Sequence, residues 1–124
     1  MLDHVAIQVQ DVGVSAEFYA RALAPLGGTR LKEYGANAGF GTAGHPPFWL
    51  VPAKDGGGAP REAHLAFAAP DRAAVDAFHA ACVAAGAESL HAPRLWPEYH
   101  GAYYGAFVRD PDGNNVEAVC HTAR

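Results

Sequence analysis

The sequence predicts an α+β domain made of two copies of one strand–helix–strands module, and three observations carry that prediction. The first is a weak internal repeat. Residues 4–25 set against 64–85 make His4/His64, Ala6/Ala66, Asp11/Asp71, Phe18/Phe78, Ala20/Ala80 and Ala24/Ala84 identical, with Val5/Leu65, Ile7/Phe67 and Leu23/Val83 conservative. A period of about 60 residues is too long for a solenoid unit and marks a duplicated supersecondary module. The second is that each copy opens on strand-like sequence and passes into a helical stripe of apolar residues. The third is the Gly- and Pro-rich stretch 54–60, which has linker composition and separates the copies. At 124 residues the chain has the size of one domain. Module 1 covers 1–53, the linker 54–60 and module 2 61–124.

In the first module, residues 4–9 alternate, with Val5, Ile7 and Val9 on one face and His4, Ala6 and Gln8 on the other. Residues 11–13 turn the chain. Ser15 is placed to cap a helix running to about Leu23, with Val14, Phe18 and Ala22 as its stripe; Pro25 and Gly27-Gly28 end it. Short strands follow at 30–34, 38–41 and 48–51. The second module repeats the plan. A strand at 63–68 leads to Asp71, which caps a helix to about Ala85 with Val75, Phe78 and Cys82 inward, and Gly86 stops it. Residues 90–100 hold Pro93 and Pro97 and read as an irregular excursion able to close over a pocket. A hairpin completes the chain: strand 103–108, the turn Asp110-Pro111-Asp112-Gly113-Asn114, and strand 115–120.

Composition narrows the function classes. Half the residues are hydrophobic, yet no apolar run approaches the ~20 residues of a membrane span. The N-terminus enters strand-like sequence at once, so no secretory signal is expected. Cys82 and Cys120 are the only cysteines and lack metal-ligand spacing, which points to a reducing, cytoplasmic setting. A net charge of -4 without a Lys/Arg cluster speaks against nucleic acid, whose binding rests on phosphate neutralisation.

The repeat also carries chemistry. His4 and His64 begin equivalent strands, and a pseudo-twofold axis that brings two imidazoles together makes half of a metal site. Glu117 is the only acidic residue inside the last strand, flanked by Val116 and Ala118, where burial of an unpaired carboxylate costs several kcal/mol. Two imidazoles and one carboxylate suit a divalent ion and leave positions open for substrate or water.

Asp3-His4-Val5, Ala63-His64-Leu65-Ala66 and the run from Asp110 to Glu117 resemble the vicinal oxygen chelate superfamily: glyoxalase I, extradiol dioxygenases, fosfomycin-resistance enzymes and bleomycin-binding proteins. The resemblance covers essentially the whole chain. It implies two βαβββ modules forming a curved, open eight-stranded barrel-like cleft, with a divalent metal (Fe, Mn, Zn or Ni) on His4, His64 and Glu117. It also implies a homodimer, in some members with modules exchanged. Glyoxalase I has a fourth ligand at the position of Trp49, and indole cannot ligate, so a three-ligand site is expected. Fosfomycin-resistance enzymes have a tryptophan there too, but their polar and basic pocket residues are not recognisable, and Phe107 stands where they place a cavity tyrosine.

Each of these residues also has a structural reading. His4 and His64 suit a strand end and a satisfied core histidine, and Glu117 has Arg109 or Arg94 as alternative partners. Trp49 lines a cavity or packs in the core. Tyr103 and Tyr104 point to opposite faces, and parity with Phe107 favours Tyr103 for the cleft. His100 is either an acid/base group or a solvated loop histidine; His45, His79, His91 and His121 are read as structural or surface residues. The resulting expectation is a metal-dependent enzyme of dioxygenase, lyase, isomerase or thiol-transferase type acting on a small molecule. His100 and Tyr103 are its candidate catalytic residues, and Trp49, Trp96, Tyr104 and Phe107 its candidate substrate-binding residues. The alternative is a metal-free module that sequesters an aromatic compound between Trp49, Trp96 and Tyr103.

Overall fold

The structure is a computed structural model that describes residues 1–54 and 61–123, so the linker assigned to 54–60 lies almost wholly outside the described residues. Module 1 comprises β1 (Val5–Val9), α1 (Val12–Leu23), a 3-10 turn (Ala24–Leu26), β2 (Thr29–Tyr34), β3 (Asn37–Gly41) and β4 (Phe48–Pro52). Module 2 comprises β5 (His64–Ala68), α2 (Arg72–Ala84), β6 (Ser89–Leu95), β7 (Tyr104–Arg109) and β8 (Asn115–Cys120). The eight strands form two separate four-stranded sheets, ordered β1-β4-β3-β2 and β5-β8-β7-β6. These are the same topology twice, as the repeat requires. In each, the first strand pairs parallel with the last and the others are antiparallel.

The helix starts follow from matching aspartates. Asp11 and Asp71 hold extended backbone and accept from the N–H of Val14 and Ala74 at 3.1 and 2.8 Å, satisfying an orphan donor of the first turn. Asp11, not Ser15, is therefore the cap of α1. Ser15 lies inside the helix, buried, and the inward stripe is Ser15, Phe18, Tyr19 and Ala22 while Val14 faces solvent. At the other end of α2, Gly86 takes φ +91°, which a residue with a Cβ adopts only under strain.

Residues 90–100 also differ from expectation. Their first half is the edge strand β6, and two register shifts against β7, around His91 and before Arg94, absorb Pro93. Only residues 96–103 form a loop, closed by the Trp96 N–H on Tyr103 O at 2.8 Å.

Both helices lie on the inner side of the molecule. A continuous core runs from Ile7, Val9, Phe40 and Leu50 through Tyr19 and Ala22 to Val75, Phe78, Val108 and Val116. The turn after β7 locks the modules together. Buried Asp110 accepts from the Tyr19 hydroxyl at 2.6 Å, the Asn114 amide nitrogen at 2.8 Å, and the backbone N–H groups of Asp112 and Asn114 at 2.9 Å each. Asp112 accepts from the Gln10 N–H at 3.0 Å and the Ser15 hydroxyl at 3.2 Å. Asn114 Oδ1 accepts from the Ala63 N–H, fixing the entry to β5.

This packing leaves the sheet faces carrying His4 and His64 open. Each has its own cleft, and the two share no lining residue. The single open-barrel cleft expected from sequence is thus two half-clefts in one chain.

Candidate metal and substrate site

The second cleft, of about 450 Å³, is built on β5, β7 and β8. Parallel pairing sets Ala66 beside Glu117 and His64 beside Asn115. Glu117 is 2 % exposed. One of its oxygens lies 2.8 Å from His64 Nε2, and the other accepts from the Tyr103 hydroxyl at 2.6 Å. Neither arginine pairs with it: Arg109 donates to Glu62 and to Gly113 O, and Arg94 pairs with Glu98 while lying 3.4 Å over the Trp96 ring. Phe107 stacks on the His64 ring, with centroids 6.1 Å apart, and so orients it.

Burial and then the bond to Glu117 push the Tyr103 phenol well above its ordinary range, so it is a proton-bearing donor at neutral pH. Asn115 Oδ1 is buried on the same cleft with no hydrogen-bond partner among the described residues. The remaining wall is aromatic. Trp96 is anchored through its indole N–H on Gly105 O at 3.0 Å and packs edge-on against Phe107 and His91 and face-on against Tyr99.

The donor chemistry fits a divalent ion. An imidazole and a carboxylate are ligand types for such ions, and the two are joined directly by a 2.8 Å hydrogen bond. Tyr103 holds the second carboxylate oxygen, and the first is hydrogen-bonded to His64 Nε2.

The first cleft, of about 330 Å³, holds His4, Ala6, Lys32, Trp49 and Val51. His4 Nδ1 lies 2.6 Å from Asp3 Oδ1, to which His45 Nε2 also approaches within 3.2 Å. Trp49 pairs with Ala6 as Glu117 pairs with Ala66, so the indole stands at the position pseudo-symmetric with Glu117. Its N–H donates to Pro46 O at 3.1 Å. Gly39, its cross-strand neighbour, gives the ring room: a Cβ there would stand 2.9 Å from it.

The structure therefore brings together His64, Glu117, Tyr103, Trp96 and Phe107, with His100 at the rim. It does not bring His4 or Trp49 to them within one chain. Among the described residues, the group of His, Cys, Asp and Glu donors close enough to share an ion is Asp3, His4 and His45.

Two candidates change role. Tyr104 lies on the helix side, bonded to Asp76 at 2.7 Å and under the Arg72 guanidinium, and so is not a cleft residue; strand alternation sends it opposite Tyr103. His100 accepts the Ala102 N–H at Nδ1, 3.1 Å away, so the proton sits on Nε2 and points to His121 Nδ1 at 2.8 Å. With both nitrogens engaged, His100 ties the 96–103 loop to the C-terminal residues. His45 and His91, read from sequence as structural or surface residues, are cleft residues; both lie in segments whose periodicity marks no face.

Fold and site together define a two-module βαβββ protein with histidine and carboxylate side chains on its open sheet faces. The family model for the Glyoxalase/Bleomycin resistance protein/Dioxygenase superfamily matches residues 1–118, and the chain belongs to that superfamily. A glyoxalase/bleomycin resistance protein from Albidiferax ferrireducens T118 is 30 % identical, with a TM-score of 0.82 over 94 % of this chain and 96 % of that one. A glyoxalase/bleomycin resistance protein/dioxygenase family enzyme from Burkholderia phytofirmans PsJN has a TM-score of 0.75 at 20 % identity, over 98 % of each chain. Lactoylglutathione lyase from Agrobacterium tumefaciens has 0.67 at 22 %, over 94 % and 90 %. The last two show the shared fold. Among proteins of curated function, none matches this chain.

Proposed function

We propose that this chain is a divalent-metal-dependent enzyme that acts on a small molecule bearing vicinal oxygens. It works as a homodimer in which His64 and Glu117 of one subunit and His4 of the partner subunit hold the ion. The observation that carries this reading is the buried Glu117 carboxylate, set 2.8 Å from His64 Nε2 on an otherwise open face. A twofold axis that laid one chain's first cleft over another's second cleft would supply His4 and would do so twice. It would also cover the apolar walls of both half-clefts.

When bound, the ion supplies a Lewis-acid centre with open positions for two substrate oxygens. Tyr103 keeps Glu117 turned toward His64, and its own phenol carries the proton nearest the site. Trp96, Tyr99 and Phe107 exclude water from one side. With Trp49 in place of a fourth ligand, hemithioacetal isomerisation with glutathione and methylglyoxal is expected to be slow or absent. The protein is expected to act in the cytoplasm, where its thiols stay reduced.

The aromatic wall favours one rival, a metal-free binder of flat aromatic compounds. Elemental analysis of untagged protein purified without chelator separates them. Bound zinc, nickel, manganese or iron that falls in both His64→Ala and Glu117→Gln supports the enzyme. Metal-free protein that retains an aromatic compound overturns it, as does metal content unchanged in both variants.

A further inference from the structure

We propose that Asp3, His4 and His45 form a second divalent-cation site, complete within a single chain. One carboxylate oxygen, Asp3 Oδ1, lies 2.6 Å from His4 Nδ1 and 3.2 Å from His45 Nε2, and the three donor atoms lie within 4.8 Å of one another. In the ion-free chain each imidazole places a proton toward that oxygen. A shift of tautomer moves those protons to the outer nitrogens and aims two lone pairs at the same point, with no change in net charge.

The juxtaposition is built by the fold although Asp3 and His45 are 42 residues apart. Two hydrogen bonds clamp the loop that carries His45: the Val5 N–H donates to Pro47 O at 2.8 Å, and the Trp49 indole donates to Pro46 O at 3.1 Å. Pro46 is itself fully buried, so the residue beside His45 is fixed to the core. The two rings meet edge to face, with centroids 6.5 Å apart.

Two nitrogens and one carboxylate oxygen select late first-row ions such as Zn²⁺, Co²⁺ or Ni²⁺ over Mg²⁺ or Ca²⁺. All three residues are exposed, which leaves the remaining positions to water. A cation here would staple the N-terminal segment to the loop that positions Trp49, and so stiffen the first cleft. The site shares only His4 with the one under Proposed function, and a neutral imidazole has one lone-pair nitrogen, so His4 serves one of the two ions at a time. Neither Asp3 nor His45 has a part there.

The test is Co²⁺ titration of untagged, chelator-stripped, full-length protein, read by visible d–d absorption, with Zn²⁺ competition. The His64→Ala/Glu117→Gln double variant is expected to keep one Co²⁺ per chain. Adding His45→Ala, or Asp3→Ala as a second variant, should weaken binding by at least the roughly tenfold that loss of even an outer-shell partner costs. A double variant that binds no ion overturns the proposal, and so does binding indifferent to both His45→Ala and Asp3→Ala. The shared site is judged separately, in a His45→Ala background, where ion binding that His64→Ala/Glu117→Gln abolishes is expected.

Discussion

Glu117 and Tyr103 show how much of the second cleft depends on single atoms. A carboxylate this buried needs both oxygens engaged, and Tyr103 satisfies the one that His64 leaves. Tyr103→Phe removes only the hydroxyl, so the fold should survive, while Glu117 becomes free to rotate away from His64. A positioning partner of this kind is worth roughly 10–100-fold in metal affinity. Zn²⁺ competition titration should show that loss with an unchanged far-UV spectrum, and an unaltered affinity would remove Tyr103 from the site. Cys82 is a contrasting case. Burial pushes its thiol up to about 12, so in the native protein it should resist alkylation at pH 8 until denaturant is added.

Among the elements, the turn from Asp110 to Asn114 has more to do than reverse the chain. Asp110 and Asp112 both reach into module 1, which explains why a turn at the end of module 2 carries two buried or half-buried carboxylates. Tyr19→Phe removes one charge-assisted bond to Asp110 and should cost about 1.5–3 kcal/mol in urea unfolding. The pH dependence has a definite sign. Burial, then the Asp110 charge, push the Tyr19 phenol far above its unfolded value, so its contribution is complete below ~pH 10 and is lost as pH rises further. Tyr19→Phe should therefore flatten the alkaline fall in stability; an identical fall in both proteins would contradict this. In β3, Gly39→Ala would press a Cβ against Trp49 and Pro46 at 2.9 Å. The indole must then move, and near-ultraviolet circular dichroism should register it without loss of helix signal.

At the scale of the molecule, the helices face inward and the ligand-bearing sheet faces look outward, so completion of the proposed shared site needs a second copy. Light scattering at micromolar concentration should give twice the chain mass. Complementation tests the geometry. In a His45→Ala background, His4→Ala dimers and His64→Ala/Glu117→Gln dimers should each lack the shared site. After equal mixing and exchange, half the dimers are heterodimers with one intact site of two, so about a quarter of the parent metal binding should return. No recovery after demonstrated subunit exchange would rule out a site built from both chains.

The sequence by itself determined the two modules, the course of most elements, and the inward stripe of α2. It also marked Tyr103 over Tyr104 for the cleft, while the family resemblance placed Trp49 as the counterpart of Glu117. These features are legible because periodicity, capping and repeat register are local properties. The Asp11/Asp71 repeat pair already pointed to Asp11 rather than Ser15 as the cap of α1, and the backbone geometry bears this out. Only the tertiary structure decided Tyr19–Asp110 and the approach of His45 to Asp3, pairs separated by 91 and 42 residues. It also decided that His4 stands apart from His64 and Glu117. The repeat makes the two sheets equivalent, but a symmetric pattern does not say which faces meet. Here the helix-covered faces meet, joined by a continuous apolar core and by Asp110 and Asp112, and each half-cleft is left open.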